Sequence, residues 1–193
     1  MNMENGKTSF REQLHSEFEL FKKIKDHFEK NDADNIARSF FPIAETKHGI
    51  WAPSNLLVLY EAFSKLGIDR FGHFLDIGSG DGRVVFLASL FTKASGVDSD
   101  EHFHRKALEH SKKLGVKVVL LNRDFIEHNF SPYDVLFINP DKPFAAELVV
   151  KLLKEAKGKT IIVYNSLYLP PSSFKKVKTI YFESLPVSEF VID

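Results

Sequence analysis

Short apolar runs alternate with segments of helical periodicity over most of this chain, and this alternation constrains the fold more than any other feature. Five of the runs are short enough to be strands, at 73–77, 94–97, 117–121, 135–138 and 160–164. Segments with helical spacing lie between them, at 83–91, 100–114 and 143–157. Strands that alternate with helices in this way predict a parallel sheet with helices on both faces.

The C-terminal end departs from this alternation. Two apolar runs, 175–184 and 187–193, flank Leu185-Pro186, which predicts two strands joined by a tight turn. Together with the five parallel strands, they predict an α/β fold with a doubly wound, mostly parallel sheet of seven strands and an antiparallel C-terminal hairpin strand.

The first part of the chain has a different pattern. Phenylalanines and other apolar residues recur at spacings of three and four through residues 10–28, which predicts an amphipathic helix. The polar run at 31–35 predicts the end of that helix, and a short second helix is expected to stop before Pro42. We therefore expect an N-terminal helical arm over 1–49 and one α/β domain over 50–193.

Composition excludes several functional classes. Lys+Arg and Asp+Glu both total 26, so no net charge attracts the chain to nucleic acid, although nucleic acid is not excluded as a partner. There is no cysteine, and the histidines of EHFHRKALEH are not spaced to share a helix face, so we expect a solvated face and no metal site. No stretch approaches the ~20 apolar residues of a membrane span, and the N-terminus has no apolar signal core. A cytoplasmic location is expected.

A glycine-rich stretch, FLDIGSGDGRVVF at 74–86, includes the first predicted strand and the turn after it. A phosphate-binding P-loop requires a lysine and a hydroxyl residue after its last glycine, and Arg83-Val84 excludes that interpretation. The dinucleotide fingerprint G-x-G-x-x-G places its third glycine where Arg83 stands, whereas the third glycine here is Gly82. This departure weakens an NAD-dependent oxidoreductase as an interpretation but leaves it as an alternative.

Acidic residues at the ends of the predicted strands indicate another ligand. Asp76 lies two residues before the first glycine, where a carboxylate repels a pyrophosphate and suits the ammonium group of an amino-acid ligand. Asp98 ends the second strand, where a carboxylate can bind the hydroxyl pair of a ribose. Asp124 and Phe125 follow the third strand, where a carboxylate and a backbone amide can bind the edge of an adenine. A ligand with an ammonium group, a ribose and a base but no phosphate matches S-adenosylmethionine.

Four motifs in order, LDIGSGDG, GVDSD, NRDF and LFINPDKPF, resemble those of the class I, Rossmann-like methyltransferase family. The resemblance covers roughly residues 50–193, including the terminal hairpin. It implies that Asp76 and the glycine loop hold the methionine part, that Asp98 binds the ribose, and that Asp124 with Phe125 binds the adenine. The cofactor-binding residues that it implies are Asp76, Gly78, Ser79, Gly80, Gly82, Asp98, Ser99, Asp124, Phe125 and Asn139.

Asn139-Pro140 resembles the start of the Asn-Pro-Pro-Tyr motif of methyltransferases that act on planar amide or exocyclic nitrogens. In that family the Asn side chain and the Pro carbonyl accept the N–H bonds of the target, which implies catalytic roles for Asn139 and Pro140. Asp141-Lys142 intervenes here before Pro143-Phe144, so the aromatic residue that would stack on the target is displaced by two positions. The alternative interpretation is a strand end stabilised by a proline turn.

A second resemblance concerns the segment WAPS at 51–54, before the glycine loop. Non-SET protein lysine methyltransferases place an aromatic-x-Pro-Ser-like segment there, over the methionine end of the cofactor. The resemblance implies that Trp51, Pro53 and Ser54 border the methyl group, and Phe144 is a further candidate for substrate binding. The alternative is that Trp51 only packs the arm against the sheet and that Ser54 caps the next helix. The sequence therefore predicts an S-adenosylmethionine-dependent N-methyltransferase acting on a lysine-like protein side chain. Nucleic-acid or small-molecule N-methylation, and a non-catalytic cofactor-binding module, remain alternatives.

Overall fold

Seven strands form the central sheet of the computed structural model, which describes residues 10–38, 40, 43–46, 49–165 and 167–193. The strands run in the spatial order β5-β4-β3-β6-β7-β9-β8; the first five in this order are parallel, and β9 is antiparallel to both of its neighbours. The predicted fold is confirmed. The seven strands are β3 (His73–Ile77), β4 (Lys93–Asp98), β5 (Val119–Asn122), β6 (Val135–Ile138), β7 (Thr160–Tyr164), β8 (Lys175–Phe182) and β9 (Leu185–Val191).

Helices cover both faces of the sheet, because the strands are apolar on both sides. Alternate residues of β3 point to opposite faces: Phe74 packs in a core with α1, α2 and α3, whereas Leu75 packs in a second core with α5. The five helices are α1 (Phe10–Ala37), α2 (Leu56–Leu66), α3 (Arg83–Ala88), α4 (Glu101–Leu114) and α5 (Ala146–Glu155), and a short 3₁₀ helix spans Ile68–Arg70.

The N-terminal arm differs from the prediction. Helix α1 continues through the polar run to Ala37 instead of ending before it, and Phe40 is exposed and not helical, so the predicted second helix is wrong; Phe41 and Pro42 lie outside the described residues. Phe21, Ile24 and Phe28 are buried in the core shared with the sheet. The polar run is helical because tertiary contacts, described below for Asp32, outweigh its low helix propensity.

Two turns also differ from the prediction. Strands β1 (Ala44–Thr46) and β2 (Gly49–Trp51) form a short antiparallel pair. The sequence does not predict them, because strands of three residues are too short to show an alternating pattern. At the C-terminus the turn falls at 183–184, and Leu185-Pro186 belongs to β9. Proline is tolerated there because Pro186 is the second residue of β9, at the end of the strand next to the turn.

Candidate active site

The three glycines after β3 have different surroundings, although all three have positive φ angles. Gly78 lines two adjacent cavities of about 340 and 300 Å³. A side chain at Gly80 would clash with the indole ring of Trp51. Gly82 caps the start of α3 and packs against Phe86 and Ala107. Gly80 and Gly82 line neither cavity and shape the loop instead.

Asp76 is a buried carboxylate at the edge of the 300 Å³ cavity, which Ser79 also lines. It accepts no hydrogen bond from the residues that the structure describes. Burial raises the pKa of Asp76 well above its ordinary value, and the carboxylates of Asp98 and Asp81 raise it further. An uncompensated buried charge is costly, so this position is complementary to a cationic ligand group.

Asp81 lies in the same loop but is fully paired, with Arg83. The guanidinium group of Arg83 donates to Asp81 at 2.7–3.1 Å and, through both terminal nitrogens, to Asp32 of α1 at 2.9 Å. Burial opposes the charge on Arg83, but the two carboxylates outweigh it and raise the pKa of the guanidinium above its ordinary value. These three residues, called the Arg83 cluster below, fasten α1 to the glycine loop. Sequence reasoning missed Asp32, because its partner is 51 positions away.

Asp98 is the last residue of β4. Its side chain lines the 340 Å³ cavity and is hydrogen-bonded to the glycine loop. Its two carboxylate oxygens accept the backbone N–H groups of Gly80 and Asp100, both at 2.8 Å. Burial raises the pKa of Asp98, and these two N–H donors partly oppose the shift. Asp100 lines the same cavity and also caps α4, by accepting from the N–H of Phe103 at 3.1 Å.

The other predicted adenine-side residues lie in the same cavity. Ser99, Asp124 and Phe125 all line it. One oxygen of Asp124 accepts the N–H of Ile126 at 2.9 Å, which fixes the turn after β5. The structure therefore brings together Asp98, Ser99, Asp124 and Phe125, from the carboxyl ends of two neighbouring parallel strands.

Asn139 and Pro140 follow β6 and line both cavities. The Nδ2 group of Asn139 donates to Oγ of Ser54 at 3.4 Å. Oδ1 of Asn139 and the carbonyl oxygen of Pro140 both accept from Nδ2 of Asn165, at 2.7 and 3.2 Å. Asn165 was not predicted, since a single amide at a strand end has no pattern that marks it.

The pair β1–β2 lies over the site. Ile50 and Trp51 line both cavities, and the ring of Trp51 lies 4.5 Å from that of Phe103. The N–H of Ile50 donates to Oδ2 of Asp141 at 2.6 Å, which ties the hairpin to the loop after β6. Phe144 lines the 340 Å³ cavity, whereas Pro53 lines neither.

The lining of the two cavities is strongly acidic. The only cationic side chains among its described residues are Lys142 and Arg83, and Arg83 belongs to the cluster with Asp32 and Asp81. The acidic residues in the lining are Asp76, Asp81, Asp98, Asp100, Asp124, Asp141 and Glu147. This distribution favours a cationic ligand or substrate over a polyanion.

The histidines form no metal site in the part of the chain that the structure describes, where no three His, Asp or Glu side chains could hold an ion. His110 corrects the prediction of a solvated face: it is buried between α4 and α1, with Nδ1 2.8 Å from Nε2 of His27. Burial lowers the pKa of His110 to about 4. Among the described helices, none is long and apolar enough to cross a membrane.

No protein-family model matches the sequence, and no curated protein is significantly similar to it. Solved structures do resemble its fold. An RNA methyltransferase of Salinibacter ruber in complex with S-adenosyl-L-homocysteine is 20% identical, with a TM-score of 0.59 over 73% of this chain and 94% of that one. A MtNAS mutant in complex with S-adenosylmethionine is 16% identical, with a TM-score of 0.60 over 94% of this chain and 75% of that one.

A third resembling structure is the tRNA (uracil-54, C5)-methyltransferase of Pyrococcus abyssi in complex with S-adenosyl-L-homocysteine. It is 16% identical, with a TM-score of 0.57 over 79% of this chain and 45% of that one. At these identities the likeness establishes the fold, the Rossmann-like fold of S-adenosylmethionine-dependent methyltransferases, and the chemistry of this chain has to be argued from its own residues.

Proposed function

We propose that this protein is an S-adenosylmethionine-dependent methyltransferase that methylates a nitrogen of a protein side chain, with a lysine-like amine as acceptor. Asp76 carries the proposal: it is a buried carboxylate without a hydrogen-bond donor among the described residues, beside a glycine loop and a cavity of about 300 Å³. The ammonium group of a bound amino-acid moiety supplies both the charge and the donors that Asp76 lacks.

The remaining residues of the site fit the rest of this cofactor. Asp98 faces the 340 Å³ cavity with oxygens that retain acceptor capacity for a ribose hydroxyl pair. Asp124 and Phe125 lie further along the same cavity, where the adenine would bind. The acidic lining disfavours a pyrophosphate, which argues against an NAD-dependent oxidoreductase. The structures of similar fold that hold S-adenosylmethionine or S-adenosyl-L-homocysteine support the same choice.

Bound S-adenosylmethionine would supply a methyl group bonded to a positively charged sulfur. The lone pair of the deprotonated acceptor amine would form the new N–C bond as the S–C bond breaks, S-adenosyl-L-homocysteine would leave, and the methylated nitrogen would lose a proton to solvent. The chain's own residues orient the acceptor and exclude water. Oδ1 of Asn139 and the carbonyl oxygen of Pro140 offer two acceptors for the N–H bonds of the amine. Ile50 and Trp51 line both cavities, and the carboxylate of Asp141 holds the backbone of Ile50 in place.

The charges around the site support a basic acceptor. Asp141 and Glu147 line the 340 Å³ cavity near Phe144, and Lys142 is the one cation among the described residues there. A lysine side chain is attracted to such a surface, whereas a nucleic acid requires Lys and Arg side chains against its phosphates. The position of Trp51 beside the loop supports the resemblance to non-SET protein lysine methyltransferases.

Methylation of a nucleic-acid nitrogen is the second candidate. The Asn139–Pro140 acceptor pair favours it, because that pair suits the planar amino group of a base. Two of the structures with similar folds are described as RNA or tRNA methyltransferases. The acidic lining of both cavities is the observation against it.

Two measurements test the proposal. Calorimetry with S-adenosyl-L-homocysteine should detect binding by the wild type, and Asp98→Ala should weaken it by about 10- to 100-fold, because hydrogen bonds to charged groups contribute ~1.5–3 kcal/mol. A melting curve of Asp98→Ala controls for folding. Incubation with labelled S-adenosylmethionine and cell extract should then place label in material digested by protease and not by nuclease. No heat with either S-adenosylmethionine or its demethylated product would refute the cofactor, and nuclease-sensitive label would refute the acceptor.

A further inference from the structure

Asn165 follows β7 in an unusual backbone conformation. Its φ is +85°, in a region that residues other than glycine rarely adopt. Its backbone N–H donates to the carbonyl oxygen of Pro186 at 3.0 Å, and its Oδ1 accepts the N–H of Leu167 at 2.9 Å. Because a backbone N–H can only donate, the side-chain atom that faces Leu167 is the oxygen. The NH₂ group of Asn165 therefore faces the other way, towards Asn139 and Pro140.

The two acceptors at Asn139 and Pro140 are occupied by this NH₂ group. Nδ2 of Asn165 is 2.7 Å from Oδ1 of Asn139 and 3.2 Å from the carbonyl oxygen of Pro140. This one nitrogen lies within hydrogen-bonding distance of both oxygens, which is the arrangement expected for a nitrogen that this pair is built to hold. The structure thus contains an internal group in the position of an acceptor nitrogen.

We propose that Asn165 is a specificity-determining residue that acts as a placeholder: its amide occupies the Asn139–Pro140 pair until the amine of the methyl acceptor displaces it. This inference rests on the proposed function. An acceptor must then offer two N–H bonds to replace those of Asn165, which selects primary amines over hydroxyl groups and over nitrogens with fewer N–H bonds.

The surroundings of Asn165 allow the exchange. Asn165 and Leu167 line the 300 Å³ cavity, and Leu167 is 79% exposed, so open space borders the side chain of Asn165. Leaving the positive-φ conformation relieves backbone strain. Asn139 keeps its orientation meanwhile, because its Nδ2 donates to Oγ of Ser54 independently of Asn165.

The test removes the placeholder and measures binding of an amine. Asn165→Gly removes the amide without strain, because glycine adopts positive φ freely, and Asn165→Ala is the second variant. Asn129→Gly is the matched control: Oδ1 of Asn129 accepts the N–H of Ser131 at 2.9 Å, as that of Asn165 does for Leu167, but Asn129 lines neither cavity. The probe is N-α-acetyl-lysine amide, titrated with and without S-adenosyl-L-homocysteine and followed by NMR.

We expect the side-chain NH₂ signals of Asn165 in the wild type to shift as the probe binds, and both Asn165 variants to bind the probe about tenfold more tightly than the wild type and the control. Signals that stay unchanged while the probe binds, or an affinity equal to that of the control, would overturn the placeholder. Failure of the wild type to bind S-adenosyl-L-homocysteine would refute the proposed cofactor instead, because the amide signals and the probe titration do not require it.

Discussion

Asp76 and Asp81 stand at the two ends of one glycine loop and are equally buried, each with 3% of its surface exposed, yet their surroundings are opposite. Asp81 accepts several hydrogen bonds from Arg83, whose guanidinium also binds Asp32. Asp76 accepts none from the described residues, and its pKa is raised by burial. A buried carboxylate that is paired within the protein contributes to the stability of the fold. One that is left unpaired is instead stabilised when a ligand with a cationic group binds.

The largest effect is expected for the substitution Arg83→Met. It leaves the buried carboxylate of Asp81 and the partly exposed carboxylate of Asp32 without the guanidinium, so the free energy of unfolding should fall by about 3–5 kcal/mol in urea denaturation. The control Arg105→Met, in an exposed pair with Glu101, should lower it by no more than ~0.5 kcal/mol. The double variant Arg83→Met with Asp81→Asn should recover part of the loss; equal losses for Arg83→Met and Arg105→Met would contradict the structural role of the cluster.

Asp76→Asn should lower the affinity for the ligand and leave the free energy of unfolding intact. Affinity for S-adenosyl-L-homocysteine should fall by roughly 10- to 100-fold, the equivalent of a lost charge-assisted bond of ~1.5–3 kcal/mol. The free energy of unfolding without ligand should not fall, since an unpaired buried charge is removed. Calorimetry and urea denaturation measure the two quantities, with the exposed Asp34→Asn as control. If Asp76→Asn lowered the free energy of unfolding and left the affinity unchanged, Asp76 would have a structural role like that of Asp81 and no role in ligand binding.

The pH dependence should give the smallest effect. Because the pKa of Asp76 is raised in the folded protein, the folded state holds a proton that the unfolded chain has released. As the pH falls through the raised pKa towards the ordinary value near 3.9, the ligand-free wild type should gain stability relative to Asp76→Asn. Affinity for S-adenosyl-L-homocysteine should fall over the same window, by at most about tenfold per pH unit, because its ammonium group requires ionised Asp76. An affinity difference between wild type and Asp76→Asn that does not change with pH would contradict this.

Much of the fold and the site followed from local pattern. Strands β3, β6 and β7 have the predicted bounds, because each is a short, mostly apolar run buried on both faces. The carboxyl ends of parallel strands meet at one edge, so the predicted strands also place Asp76, Asp98 and Asn139 near one another. In the structure Asn139 lines one cavity with Asp76 and the other with Asp98, while the roles of these residues stay predictions.

The parts that were missed depend on contacts between distant residues. The helical course of 31–35 could not be foreseen, because local propensity carries no information about the pairing of Asp32 with Arg83. Similarly, the sequence around Asn165 does not indicate that its side chain donates to Oδ1 of Asn139 and to the carbonyl oxygen of Pro140, which follow β6. The sequence predicts that His110 faces solvent, because no local pattern indicates its contact with His27, which is 83 positions away.

The attachment of α1 through the Arg83 cluster has a consequence for how such a chain can change over generations. Arg83 belongs to the loop region and Asp32 to α1, and replacing Arg83 alone leaves the buried carboxylate of Asp81 and the partly exposed carboxylate of Asp32 without their shared cation. The arm and the loop are therefore expected to be inherited as one unit, and sequences that lose the arginine at position 83 should also lose the acids at positions 81 and 32.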